Sequence, residues 1–204
     1  MLQDVHPVTF EGSAVARWIL QRAGWTICFG GFPTLQGVAI VYPHTSNWDF
    51  VVLIVAKWAM GVQVRFWGKD SLFRIPLLGP WLRWLGGIPI DRNSSQGAVG
   101  EMLVLMKDHK AQDKLLWLGL SPEGTRKKAL AWRSGFYQVA YGAEVPVAVI
   151  ALDYGQKCIR ATDFVRLTGD VDADYHRVSE IYKNVQGLHA EFATPVKPLS
   201  AIDA

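Results

Sequence analysis

The chain has 204 residues, enough for one domain with a real core; half of them are hydrophobic and 19% are charged, against about 25% in an average globular protein. Nine Trp, nine Phe and six Tyr exclude general disorder and predict more exposed aromatic surface than usual. The net charge is only +3 and the longest basic run is Arg126-Lys127-Lys128, which argues against a nucleic-acid binder and fits weak attraction to an anionic membrane surface.

Met1 to Pro7 lacks the basic start and apolar run of a secretory signal. No stretch of about 18 apolar residues follows, since Lys57 interrupts the run from Val51 to Ala56. The chain is therefore expected to lie on a membrane surface and not to span it, with a cytoplasmic location on the inner face of the cell membrane. Residues 11–32 read as a helical hairpin, with Ala14, Val15, Trp18, Ile19 and Ala23 on one face and Arg17, Gln21 and Arg22 opposite. That face either packs on its own domain or rests on a membrane with Trp18 and Trp25 near the headgroups.

Strands are predicted over 37–42, 62–67, 88–90, 115–118, 145–152 and 157–167, from short β-branched or alternating apolar runs. Helices are predicted from Ser46 to about Ala59, over 96–109 with Val99, Met102, Leu103 and Met106 on one face, over 135–142, and from Asp172 to about Val185. The alternation predicts an α/β fold: a single domain with a largely parallel central sheet flanked by helices, preceded by an amphipathic helical segment. The expected boundaries are 1–36 for the N-terminal, membrane-associating segment and 37–204 for the α/β domain. Cys28 and Cys158, distant in sequence, are expected to be two reduced thiols with no metal-type or redox-type pairing. No His, Cys, Asp and Glu set has metal-ligand spacing, so no metal is expected.

Two constellations follow predicted strands, where open α/β sheets place their ligand sites. In His44-Thr45-Ser46-Asn47-Trp48-Asp49 a turn that folds back would let Asp49 accept the Nδ1 proton of His44. Nε2 would then be free to act as a general base. Asp49 fits equally well as an acid that stabilises a helix N-terminus beginning at Ser46. Ser121-Pro122-Glu123-Gly124-Thr125-Arg126 places a Gly turn and an Arg fork together, which suits an anion or an ordinary surface turn. It is neither a P-loop nor a Gly-x-Ser-x-Gly nucleophile elbow. A third segment, Gly86 to Arg92, ends a strand in Asp91-Arg92, either a surface ion pair or a second basic contact.

Taken in order, these segments resemble the glycerolipid acyltransferase family: His-x-x-x-x-Asp at His44 to Asp49, Gly-x-x-x-x-x-Arg at Gly86 to Arg92, Pro-Glu-Gly-Thr-Arg at Pro122 to Arg126, and an apolar Val-Pro stretch at Val145 to Val149. The resemblance covers residues 37–152, and four motifs in order make it specific. It implies an enzyme, an O-acyltransferase of phospholipid biosynthesis. The donor would be an acyl thioester, acyl-CoA or acyl carrier protein, with no further cofactor. The acceptor would be a lysophospholipid-type alcohol, 1-acylglycerol-3-phosphate by default. His44 would be the base and Asp49 its orienter; Arg92, Glu123, Gly124, Thr125 and Arg126 would bind the acceptor. Ser121 stands where many relatives have Phe. Two other functions use the same residues: an acyl thioesterase or lipid hydrolase in which His44 activates water, and a non-catalytic lipid-binding module. Residues 72–85, rich in Trp, Leu and Arg, read either as core or as a headgroup-layer surface.

Overall fold

The computed structural model describes residues 7–90 and 95–199. It shows an α/β fold in which a seven-stranded sheet has helices on both faces. The strands are β1 (Thr26–Cys28), β2 (Gln36–Tyr42), β3 (Val64–Lys69), β4 (Gly87–Ile90), β5 (Leu116–Leu120), β6 (Val147–Asp153) and β7 (Cys158–Val165). Their order is β1-β7-β6-β2-β5-β3-β4. Every neighbouring pair is parallel except β6 and β7, which are antiparallel. β2 and β6 lie between other strands and covered faces, so they read as continuous apolar runs, with every residue of β6 buried.

The helices are α1 (Ala14–Arg22), α2 (Trp48–Met60), α3 (Asp70–Phe73), α4 (Leu78–Trp84), α5 (Ser95–Ala111), α6 (Gly135–Gly142) and α7 (Val171–Tyr182). Val99, Met102 and Met106 of α5, with Phe136 and Val139 of α6 and Tyr175 of α7, cover one face of the sheet. Ala16 and Leu20 of α1 and Ala56 and Ala59 of α2 cover the other. On that second face Phe32 stacks on Trp117 with ring centroids 3.9 Å apart. Gly37 of β2 is required beneath this stack, because a Cβ there would stand 2.3 Å from the Trp117 ring.

The expected hairpin over 11–32 is instead one helix, α1, followed by the short edge strand β1, which pairs with β7. The apolar face named for α1 points away from the domain, as the second of its two readings allows, although Trp25 is buried. Ala16 and Leu20 are buried, while Val15, Trp18 and Ile19 are exposed. The reason lies in how α1 docks: the Ser13 amide donates to the Trp58 carbonyl at 2.8 Å and the Arg17 guanidinium to the Ala59 carbonyl at 3.0 Å. Satisfying the free carbonyls at the C-terminal end of α2 turns the small residues of α1 inward. Segment 72–85 divides between both readings: Phe73, Leu82 and Leu85 are buried, and Leu77, Trp81 and Trp84 are exposed.

Cys28 and Cys158, far apart in sequence, are neighbours in the fold. Both are free thiols, and the pairing of β1 with β7 brings their Sγ atoms to 3.9 Å. The contact with Cys158 holds the Cys28 thiol above its ordinary pKa.

Candidate active site

The carboxyl ends of three adjacent strands converge. His44 follows β2, Ser121 to Glu123 follow β5, and Tyr154 follows β6. The turn between β2 and α2 folds back so that His44 Nδ1 lies 3.1 Å from Asp49 Oδ2. The same oxygen accepts hydrogen bonds from the amides of Thr45 at 2.8 Å and Ser46 at 2.9 Å. The Tyr154 hydroxyl donates to Asp49 Oδ1 at 2.8 Å. The helix begins at Trp48 and not at Ser46, so Asp49 holds the turn that precedes α2 while it contacts the imidazole.

Asp49 is fully buried. Burial pushes its pKa up, but the bonds from His44, the Ser46 amide and the Tyr154 hydroxyl outweigh burial and hold it below the usual carboxylate range. It remains an anion facing Nδ1. That fixes the tautomer with the proton on Nδ1 and leaves Nε2 as the basic nitrogen. The imidazole is partly open to solvent, with 18% of the side chain exposed.

Glu123 is placed otherwise than as an acceptor-binding group. It is 2% exposed, and both carboxylate oxygens are engaged by backbone: Oε2 by the His44 amide at 2.5 Å and Oε1 by the Thr194 amide at 2.9 Å. Burial raises its pKa, partly offset by those two amides. Glu123 ties the His44 turn to the chain's C-terminal segment. Glu123→Ala would leave two amides unpaired, at about 1–3 kcal/mol for each one that stays buried. Glu123→Gln keeps one acceptor oxygen and should lose less. Thermal melts of the two variants, compared with the wild type, check that order.

Gly124 adopts φ +63, and a Cβ there would meet the Arg133 side chain at 2.7 Å. The glycine thus lets Arg133 lie across the motif. The Thr125 hydroxyl accepts from the Lys127 amide at 3.2 Å. Arg126 is exposed and enters no ion pair with the described residues. Arg92 lies outside the described residues. Among the described residues no three His, Cys, Asp or Glu side chains are grouped as metal ligands. Tyr154, Thr194 and Arg133 belong to the site, and none carried a local sequence signal.

A cavity of about 190 Å³ opens beside His44 and runs along α2. Phe50, Leu53, Ile54, Lys57 and Met60 form its helical wall. That spacing follows one face of the helix over about 15 Å, at about 1.5 Å per residue. Lys57, whose burial lowers its pKa, donates from Nζ to the Leu85 carbonyl.

The family model described as Acyltransferase matches residues 30–153, a span that holds His44, Asp49 and the segment from Glu123 to Arg126. The chain belongs to the acyltransferase family. Within that family it is similar to the 1-acyl-sn-glycerol-3-phosphate acyltransferase of Escherichia coli (strain K12), with 32% identity over 113 residues, 53% of this chain and 44% of that protein. The chain spans less than half the length of that relative. The fold is shared with the 1-acyl-sn-glycerophosphate (LPA) acyltransferase PlsC of Thermotoga maritima, with a TM-score of 0.56 and 17% identity, covering 82% of this chain and 73% of the other. His44, in contact with Asp49, thus lines an apolar cavity in a chain of this family.

Proposed function

We propose that the chain transfers a fatty acyl group from an acyl thioester, acyl-CoA or acyl carrier protein, to the free hydroxyl of a lysophospholipid-type acceptor, with 1-acylglycerol-3-phosphate as the first choice. The observation that carries this reading is that His44, in contact with Asp49, lines the apolar cavity along α2. The family and the activity named for the Escherichia coli relative support it.

In the reaction, Nε2 of His44 takes the acceptor's hydroxyl proton as the oxygen forms a bond to the thioester carbonyl carbon. The carbonyl pair moves onto its oxygen. When it returns, the C–S bond breaks and the thiolate takes the proton back from the imidazolium. The products are an ester and a free thiol. Asp49 keeps the ring oriented and stabilises its cationic form. The acyl chain lies along Phe50, Leu53 and Ile54, where each methylene removed from water contributes about 0.8 kcal/mol. Leu53→Trp fills that groove and should shift the donor preference toward shorter chains, read from kcat/KM across a chain-length series.

Arg126 and Arg133, with Arg92 beyond the described residues, are the cations that would meet an acceptor's phosphate. Arg126→Ala is expected to raise KM for a phosphorylated acceptor about tenfold or more while leaving kcat for the bound acceptor close to wild type; this follows if the side chain binds ground and transition states alike. A thioesterase using water would have no need of this clamp.

We further propose that the enzyme works as a peripheral protein on the inner face of the cell membrane. No helix of the described residues is long and apolar enough to cross a bilayer. Val15, Trp18 and Ile19 of α1, Trp58 of α2 and Trp81 and Trp84 of α4 are exposed large apolar side chains, and Trp58 and Trp84 lie 6.4 Å apart. Arg22, Arg74 and Arg83 are interspersed with them, a mixture suited to an anionic headgroup layer. The acyl-transfer reading is tested by mass spectrometry of the products formed from a panel of lyso-lipids with both classes of thioester donor. A diacyl product supports it; free fatty acid as the sole product counts for the hydrolase.

A further inference from the structure

The cavity beside His44 contains a hydroxyl that the fold leaves without a partner. Ser121 directly follows β5, whose Leu120 lies in register with Ile40 of β2. Its Oγ is buried and makes no hydrogen bond. Ser121 lies on the wall of the cavity that His44 also lines. Among the described residues, buried side-chain atoms without a hydrogen bond also occur on Trp132, Arg160 (whose Nε faces Asp163 at 3.3 Å) and Tyr175, and none of these residues lines that cavity. A buried donor left unmade costs about 1–3 kcal/mol, so native structures retain few without a use. Two residues further on, Glu123 grips the His44 amide at 2.5 Å, which fixes the turn carrying the base against the turn carrying this hydroxyl.

We propose that Ser121 is a further catalytic residue: its hydroxyl donates a hydrogen bond to the carbonyl oxygen of the donor thioester and stabilises the oxyanion formed when the acceptor attacks. The inference rests on the acyl-transfer reading above. The electron pair displaced from the C=O bond resides on that oxygen while the new C–O bond forms. The Ser121 O–H bond stays intact throughout. The pair then returns, the C–S bond breaks, and the thiolate leaves with the proton held by His44. A hydroxyl placed at that oxygen bonds more strongly as negative charge develops on it, which is the condition for lowering the barrier and not merely binding substrate. Ser121 is not the nucleophile, because a nucleophilic serine needs its base within hydrogen-bond reach, and Oγ makes no bond to the imidazole.

The test compares wild type, Ser121→Ala and Ser121→Thr with an acyl-CoA donor and a lysophosphatidic acid acceptor, and adds intact-protein mass spectrometry after acid quench without acceptor. Ser121→Ala is expected to lower kcat about 10²–10³-fold with little change in donor KM, as removal of one oxyanion donor does. Its melting temperature should stay at or above wild type, since an unpaired buried hydroxyl has gone. Ser121→Thr, which keeps the hydroxyl, should recover much of the lost rate. An active wild type with unchanged kcat in Ser121→Ala overturns this proposal alone. An acyl adduct on Ser121 overturns it in favour of a covalent role. A wild type that neither transfers nor hydrolyses the thioester overturns the parent reading and this proposal with it.

Discussion

Replacing His44 by alanine is expected to lower kcat/KM for acyl transfer by at least about 10²–10⁴, the range for loss of a general base, while the protein stays folded. The two effects separate because the fold uses the backbone of His44 and the chemistry uses its ring. The amide that holds Glu123 Oε2 at 2.5 Å is retained in the variant, and the side chain removed is partly open to solvent. Asp49 keeps its bonds from Thr45, Ser46 and Tyr154. A melting temperature near wild type beside a collapsed rate is the expected pair of readings. Comparable loss of both would mean that His44 serves the fold.

The second large effect concerns Asp49, where stability and rate should fall together. Four donors converge on its carboxylate: two amides, a tyrosine hydroxyl and the imidazole. Asp49→Ala leaves those that remain buried unpaired, at about 1–3 kcal/mol each. In a chain of this size each kcal/mol lowers the melting temperature by about 2–4 °C. Asp49→Asn keeps the shape and one acceptor oxygen, so it should lose less stability. It should still lose rate heavily, because a neutral amide no longer holds the imidazole in one tautomer; the same change in the serine protease triad costs about 10⁴. The comparison also has a pH signature. The folded pKa of Asp49 lies below its unfolded value, so the stability it contributes is complete above the ordinary carboxylate range. That stability is lost as pH falls through the lowered folded value. Asp49→Asn should lack this acid-side dependence. Glu123 works in the opposite sense: its folded pKa is raised, so its ionisation costs stability as pH rises between the unfolded and folded values.

How much of this was legible in the sequence depended on whether the signal was local. β2 and β6 are legible as β-branched runs and β5 as a short apolar run of Leu and Trp, and the motif residues sit where those strands end. The partnership of His44 with Asp49 was readable as one of two options because both lie in one turn. Tyr154 is 105 residues from Asp49, and Thr194 is 71 from Glu123; such bonds leave no periodicity behind. Glu123 looked like a ligand-binding acid because it stands in a Gly turn beside Arg126. Only the folded chain shows that its carboxylate is buried and accepts from the amides of His44 and Thr194. β1 is not legible because three residues at a sheet edge are too few for an alternation to be read. Which way α1 turns was left open for a related reason: Ala16 and Leu20 suffice to dock it once Arg17 reaches the end of α2.

The central claim is that the His44–Asp49 pair removes a proton from a lipid hydroxyl and not from water. The direct measurement is thiol release from an acyl thioester by purified protein as a function of lysophosphatidic acid concentration, with His44→Ala in parallel. Release that rises from near zero to saturation with the acceptor, matched mole for mole by diacyl product and absent in His44→Ala, is the expected result. Release that ignores the acceptor, or that persists in His44→Ala, would contradict the account.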